Sequence, residues 1–283
     1  MHPSPIMDCP LISSELQTVI DLVDKSSVVA LEVYRRDFGV DYKSERDPVT
    51  EADRRVNELL CNGLQQLFPD DRIIGEESGF TGSIAAAGRA WFVDPVDGTK
   101  DFIKKNGEWS IMVGLVCDGL PVLGVVFQAA TGDMYYAAAG QGCWIRTGTS
   151  LRQLRVEDVE DPSDAVVVGS RSHPDPHVAS VMAAMGLSRE YAHGSIGCKL
   201  AQIADRRAHA YFNFSGRCHM WDTAGPEAIL REAGGVLCDV NGDSIRYYGD
   251  STLVKQPFVA TVPAIQKRLL PYFKGRPELQ EKS

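Results

Sequence analysis

Apolar residues recur at helical spacing between Ser14 and Tyr34, at Leu16, Val19, Ile20, Val23, Ala30, Leu31 and Tyr34. That stripe predicts an amphipathic helix, with Ser14 and Gln17 spaced as a capping box at its start. A second helix is predicted from Thr50, with Val56, Leu59, Leu60, Leu64 and Leu67 on one face and Phe68-Pro69 as its stop. The polar GVDYKSERDPV between them reads as a mobile connection. After WFVD the spacing changes. WSIMVGLVC, PVLGVVFQ, DMYYAAA and CWIR are divided by DG, ATG and GQG turns, which predicts an antiparallel meander. Residues 147–164 turn polar and acidic, and a boundary is placed there. An N-terminal α+β domain over 1–160 carries the meander, and a C-terminal α/β domain spans 161–283. In the second half AVVVG, SREYAHGS, AHAYFNF, VLCDV and FVATV read as strands. They alternate with helices in HVASVMAAMG, GCKLAQIADRR, PEAILREAGG and Pro263–Phe273, an α/β pattern. The tail KGRPELQEKS is expected to fray.

Composition narrows the function classes. Hydrophobic content of 44% and charged content of 24% suit a soluble globular chain with a real core. The start, MHPSPIMDCPLI, lacks the basic and apolar regions of a signal peptide, and no apolar run reaches the roughly 18 residues of a membrane helix. The chain reads as cytoplasmic, without stable membrane insertion. Its seven cysteines (Cys9, Cys61, Cys117, Cys143, Cys198, Cys218 and Cys238) are scattered singly, as reduced thiols are, rather than spaced as disulfides or a zinc site. A net charge of −9 argues against a nucleic-acid polymer as partner. A small anionic metabolite stays compatible, because carboxylates holding divalent cations make a locally positive site.

The candidate chemistry lies in carboxylates at element boundaries. WFVDPVDGTKDF runs from an apolar strand into Asp94 and Asp97. Turn formation alone would account for Asp, Pro and Gly here. Yet Pro95 fixes one φ, so the two carboxylates and the Val96 carbonyl can be aimed at one point, the oxygen set that Mg²⁺ takes. Gly98 permits close backbone approach, and Thr99 stands where a helix can open onto a phosphate. In RIIGEESG, Glu76 and Glu77 are either a solvated acidic pair or a source of one ligand. In an extended segment they face opposite sides, and Glu76 is chosen. Asp53 closes a Thr50-x-x-Asp53 capping box and can also face a site. Asp222, in HMWDTAGPEAIL, is either a helix N-cap or a ligand.

Taken together, DPVTEAD, GEES, WFVDPVDGTKDF and WDTAG, in that order over roughly residues 14–270, resemble the inositol monophosphatase-like family of metal-dependent, lithium-sensitive phosphatases. GTKDFIKKNGEWS, SRSH and GSIGCKL are most similar to its bacterial 3′(2′),5′-bisphosphate nucleotidases. The resemblance implies a layered α-β-α-β-α sandwich. It implies a first Mg²⁺ on Glu76, Asp94 and the Val96 carbonyl, and a second on Asp94, Asp97 and Asp222. Glu76 would reach a third, weakly held ion through water. Asp53 and Thr99 would orient and deprotonate the attacking water, and the Gly98 and Thr99 amides would touch the phosphate. Substrate contacts are expected at Glu76, Val96, Asp97, Gly98, Thr99, Gly194, Ser195, Lys199 and Asp222. Two readings stay open for the glycines of HGSIGCK, substrate contact or tight packing, and two for Arg171, substrate contact or a solvated side chain. Lys100, Lys104 and Lys105 either favour a doubly phosphorylated substrate or balance local acid; Lys43 is a further candidate contact, and Phe212 and Phe214 read as core. The leading activity is removal of the 3′-phosphate of 3′-phosphoadenosine 5′-phosphate. Inositol monophosphate, sugar bisphosphates and a non-catalytic phospholigand binder follow, and a homodimer is compatible.

Overall fold

The structure is a computed structural model that describes residues 12–44, 47–159, 161–276 and 279. The MHPSPIMDCPL stretch with Cys9, and most of the tail, lie outside those residues. Helices α1 (Ile12–Arg35) and α2 (Glu51–Leu67) pack side by side. Helix α1 already starts at Ile12, so Ser14 lies in its first turn rather than at the N-cap, and its carbonyl accepts the Thr18 hydroxyl at 2.9 Å. The connection expected to be mobile is a hairpin instead, β1 (Val40–Ser44) against β2 (Asp47–Thr50). Its polarity follows from exposure: alternate residues face opposite ways, leaving Tyr42 outside while Lys43 turns toward Glu76.

Both helices lie on one face of a seven-stranded sheet. Its strands are β3 (Arg72–Gly75), β4 (Arg89–Asp97), β5 (Ser110–Cys117), β6 (Leu120–Gln128), β7 (Asp133–Ala138), β8 (Gly142–Thr147) and β9 (Ser150–Leu154), neighbours in chain order. Only β3 and β4 run parallel in this sheet; β5 to β8 are the predicted meander, and β9 extends it into the 147–164 segment read as a polar boundary. The remaining strands are β10 (Val166–Ser170), β11 (Arg189–His193), β12 (Ala210–Asn213), β13 (Cys218–His219), β14 (Val236–Asp239), β15 (Leu253–Val254) and β16 (Phe258–Thr261). Five of them form a mixed sheet in the order β11-β10-β12-β16-β14. Beyond α2 the helices are α3 (Thr99–Ile103), α4 (Pro176–Met185), α5 (Ile196–Ala204), α6 (Met220–Glu232) and α7 (Pro263–Lys274). Helices α5 and α6 fill the space between the sheets, and α4 and α7 cover the outer face of the smaller one, giving five layers, α-β-α-β-α. Buried residues join across residue 160: Ile74, Phe92 and Val116 share one core with Val167, Leu230 and Val259. No described helix is long and apolar enough to cross a membrane.

Helix α6 begins at Met220, not at Pro226 as its pattern suggested. Pro226 has no N–H to give the Asp222 carbonyl, which ordinarily stops a helix. Here packing carries the helix through. A Cβ added to Gly124 would lie 2.1 Å from the Gly225 carbonyl oxygen, and one on Gly114 2.4 Å from the Gly225 nitrogen. Helix backbone thus rests directly on β5 and β6. The same helix buries Glu227, which accepts from Tyr247 Oη at 2.6 Å and Arg231 Nη1 at 3.1 Å. Burial nevertheless pushes its carboxyl from 4.5 up to about 7. A carboxyl raised in this way favours the fold fully below about pH 4.5, and that contribution is lost as pH rises through about 7. Glu227→Gln is therefore expected to outlast the parent in urea at pH 8, by about 2–3 kcal/mol, with the gap closing toward pH 5. A gap of equal size at both pH values would refute this.

Candidate active site

Strand β4 carries apolar residues into the interior and ends in two carboxylates, Asp94 and Asp97, both buried. In its pairing with β5, Asp94 lies opposite Met112 and Asp97 opposite Ser110. Three steps on one strand match two on the other, so the Pro95-Val96 segment is a bulge. Residues three apart on a regular strand face opposite sides; the bulge turns Asp94 and Asp97 to the same side. Gly98 then takes a left-handed φ of 91°, which opens α3 at Thr99. Asp222 comes from the first turn of α6, one layer away. It is not the N-cap, which is His219, but the third helical residue, whose Oδ2 accepts the His219 N–H at 2.6 Å. One ligand atom from each of Asp94, Asp97 and Asp222 lies within 4.8 Å of the others.

Each carboxylate is pinned by main-chain amide. Val96 N–H donates to Asp94 Oδ1 at 3.1 Å, and Gly197 N–H to Asp97 Oδ2 at 2.8 Å. The charges facing Asp94 are Glu76, Asp97 and Asp222, all of one sign. Burial first, then this repulsion, holds the Asp94 and Asp222 carboxyls well above the usual range. Burial also raises Asp97, against the pull of Lys199. Like charges at such separations repel by about 3 kcal/mol per pair at an effective dielectric near 20. Oxygen-only, buried at Asp94 and Asp97 and half-buried at Asp222, and mutually repelling, the set fits a hard divalent cation.

The other expected residues surround this cluster. Asp53 divides its oxygens: Oδ2 takes the Thr50 N–H at 2.8 Å and the Thr50 hydroxyl at 2.5 Å, while Oδ1 lies 3.1 Å from Thr99 Oγ1. Capping and site-facing roles coexist in one side chain. Thr99 Oγ1 is also 3.1 Å from the Val96 carbonyl. Glu76 and Glu77 open a 3₁₀ turn instead of an extended segment, so the opposite-sides expectation fails and both reach Lys43. Lys43 Nζ lies 2.8 Å from Glu76 Oε1, and burial outweighs that pairing enough to push the Glu76 carboxyl up to about 7.

The residues expected on the substrate side are engaged with one another. Ser195 is fully buried, with its hydroxyl donated to Asp97. Lys199 is likewise buried and donates to the Gly194 carbonyl at 2.7 Å. Gly194 packs so tightly that an added Cβ would sit 2.4 Å from Asp101 Oδ2. Arg171 is not merely solvated; it forks onto Glu108 at 2.5 and 2.6 Å. Of the three lysines, Lys100 reaches His173 Nε2 at 3.2 Å, whereas Lys105 turns away to the Arg36 carbonyl at 2.9 Å. Phe212 and Phe214 are core, as expected. The sequence reading missed Glu108 and Ser110, whose partners lie far away along the chain. Only Ser195-x-x-Cys198, an N-cap spacing ahead of an apolar run, hinted at this junction.

The profile described as "Inositol monophosphatase family" matches residues 12–277. The chain belongs to the inositol monophosphatase family. It is 33% identical to the 3′(2′),5′-bisphosphate nucleotidase CysQ of Salmonella typhimurium, over 87% of this chain and 99% of that relative. A histidinol-phosphatase of Chlorobaculum parvum is 30% identical over 82% of this chain and 88% of its own. Among solved structures, the Thermotoga maritima IMPase superposes with a TM-score of 0.79 at 24% identity, covering 94% of this chain and 98% of that one. The protein is a phosphatase of this family, whose members generally use divalent metal, and the sandwich is the family fold.

Proposed function

We propose that the chain removes the 3′-phosphate of 3′-phosphoadenosine 5′-phosphate, giving AMP, with Mg²⁺ as the metal. The observation that carries the phosphatase chemistry is the junction of the Asp94–Asp97–Asp222 cluster with the Asp53–Thr99 pair. The substrate is favoured by the likeness to CysQ along nearly the whole of that relative. Glu76, Asp94, Asp97, Asp222 and the Val96 carbonyl would hold two ions, with Asp94 shared. Bound there, divalent cations neutralise phosphoryl charge and acidify water. The chain's own contribution is positioning, the main requirement of phosphoryl transfer. The Thr99 hydroxyl donates its hydrogen bond to Asp53 Oδ1 and turns its lone pairs to a water; as that water gives a proton to Thr99 Oγ1, the Thr99 proton passes to Asp53. Asp53, its other oxygen occupied by Thr50, is fixed to take the proton onward, and burial raises its carboxyl toward a base's working range. Gly98 and Thr99 amides at the opening of α3 would receive the phosphate.

Purified protein with Mg²⁺ should release phosphate from 3′-phosphoadenosine 5′-phosphate with kcat/KM at least ~10-fold above that for inositol 1-phosphate or histidinol phosphate, about 1.4 kcal/mol of discrimination. A preference for either competitor would overturn the substrate assignment and keep the metal site. Silence on all three with Mg²⁺ would overturn both.

A further inference from the structure

We propose that Ser195 is a positioning residue for Asp97, and that the start of α5 decides which oxygen of that carboxylate is offered to a cation. The inference rests on the metal-site reading above. Ser195, the N-cap of α5, and Asp97, the last residue of β4, are 98 residues apart in sequence, yet they meet in the interior. Asp97 Oδ2 receives two donors, the Ser195 hydroxyl and the Gly197 N–H at 2.8 Å, and the Ile196 N–H faces the same carboxylate. A carboxylate oxygen has two lone pairs. With both taken, Oδ2 has no lone pair to spare, and Oδ1 is the oxygen the proposal assigns to the cluster with Asp94 and Asp222.

The direction of each proton follows from chemistry. Ionised Asp97 only accepts, so Ser195 gives it its single proton. Ser195 Oγ must then accept from its other neighbours, the Cys198 N–H at 3.0 Å and the Ser110 hydroxyl at 2.8 Å. The chain Ser110 to Ser195 to Asp97 therefore has one arrangement of its two hydroxyl protons. The segment that carries Ser195 is held in turn. Ser195 N–H donates to the Glu108 carbonyl at 3.1 Å, Gly194 N–H to Glu108 Oε2 at 2.9 Å, and Lys199 Nζ to the Gly194 carbonyl at 2.7 Å. Gly197 lets α5 come this close: an added Cβ would stand 2.2 Å from Met112 Sδ. A metal ligand supported by such contacts loses affinity when they go, typically 10- to 100-fold.

The experiment is calorimetric titration of the full chain with MgCl₂ alone, beside melting of the metal-free protein. Ser195→Ala should bind Mg²⁺ about 10-fold more weakly, and Ser195→Thr, which keeps the hydroxyl, should return the dissociation constant to the parent's. Loss of the α5 cap by itself would lower the melting temperature without moving that constant. A folded Ser195→Ala protein with parental Mg²⁺ affinity overturns the proposal, as does a threonine variant as weak as the alanine one. If Ser195→Ala does not fold, Ser195→Cys keeps the volume with a poor donor and should be weak as well; parental affinity there overturns it. Absence of Mg²⁺ binding by the parent would instead remove the metal-site reading itself.

Discussion

Asp94→Asn is expected to lower kcat/KM at least ~10³-fold, about 4 kcal/mol of transition-state stabilisation, in a chain that stays folded. The side chain keeps its shape, and Val96 N–H can still donate to the remaining oxygen. What goes is the charge that faces Glu76, Asp97 and Asp222 together. Stability should move in the opposite sense when metal is withheld. A buried carboxyl raised in the fold contributes stability at low pH and loses it as pH rises. The parent without metal therefore weakens toward alkaline pH, whereas the asparagine variant has no such group to ionise. With EDTA at pH 8 the variant should melt higher than the parent. Saturating Mg²⁺ should reverse the order, because the parent gains about 2.7 kcal/mol at a hundred times its dissociation constant and the variant gains little. Melting curves with EDTA and with Mg²⁺, read beside turnover, test both halves. Parental turnover in the folded variant would sink the assignment of Asp94 as a shared ligand.

What the sequence made legible was what is local. The meander could be read because its strands are apolar runs cut by two- and three-residue turns, and β4 because WFVD ends in an unmistakable change of polarity. Its bulge was half visible: Pro95 announced an irregular backbone, but only the register with Met112 and Ser110 shows that Asp94 and Asp97 share a face. Errors came where tertiary contact overrides a local rule. Pro226 would end an isolated helix, yet α6 passes through it on a glycine seat. The β1–β2 hairpin is too polar to announce itself as paired strand. The Glu76-Glu77 pair was misjudged because one 3₁₀ turn replaces an extended backbone. Ser195 drew notice for its glycine neighbours. Its actual partner could not be inferred from spacing, since nothing local ties a residue of α5's cap to the end of β4.

The glycine seat is also where a conservative change should do the most structural harm. Gly124→Ala is expected to cost about 3 kcal/mol or more, at the upper end for overpacking, and to lower Tm by roughly 6 °C or more. The added methyl would meet the Gly225 carbonyl carbon at 2.8 Å and its oxygen at 2.1 Å, and both are backbone. No rotamer change relieves such a clash; α6 must lift from β6. Asp222 is one helical turn before Gly225 and would move with it, carrying one of the three carboxylates away from β4. Weaker Mg²⁺ binding should accompany the lower Tm, a pairing that a purely local packing defect would not produce. Gly39→Ala is the control: an added Cβ there meets nothing within 4 Å, and its Tm and Mg²⁺ affinity should match the parent. If Gly124→Ala melts and binds as the parent does, helix α6 is not seated on the sheet by backbone contact, and the placement of Asp222 needs another cause.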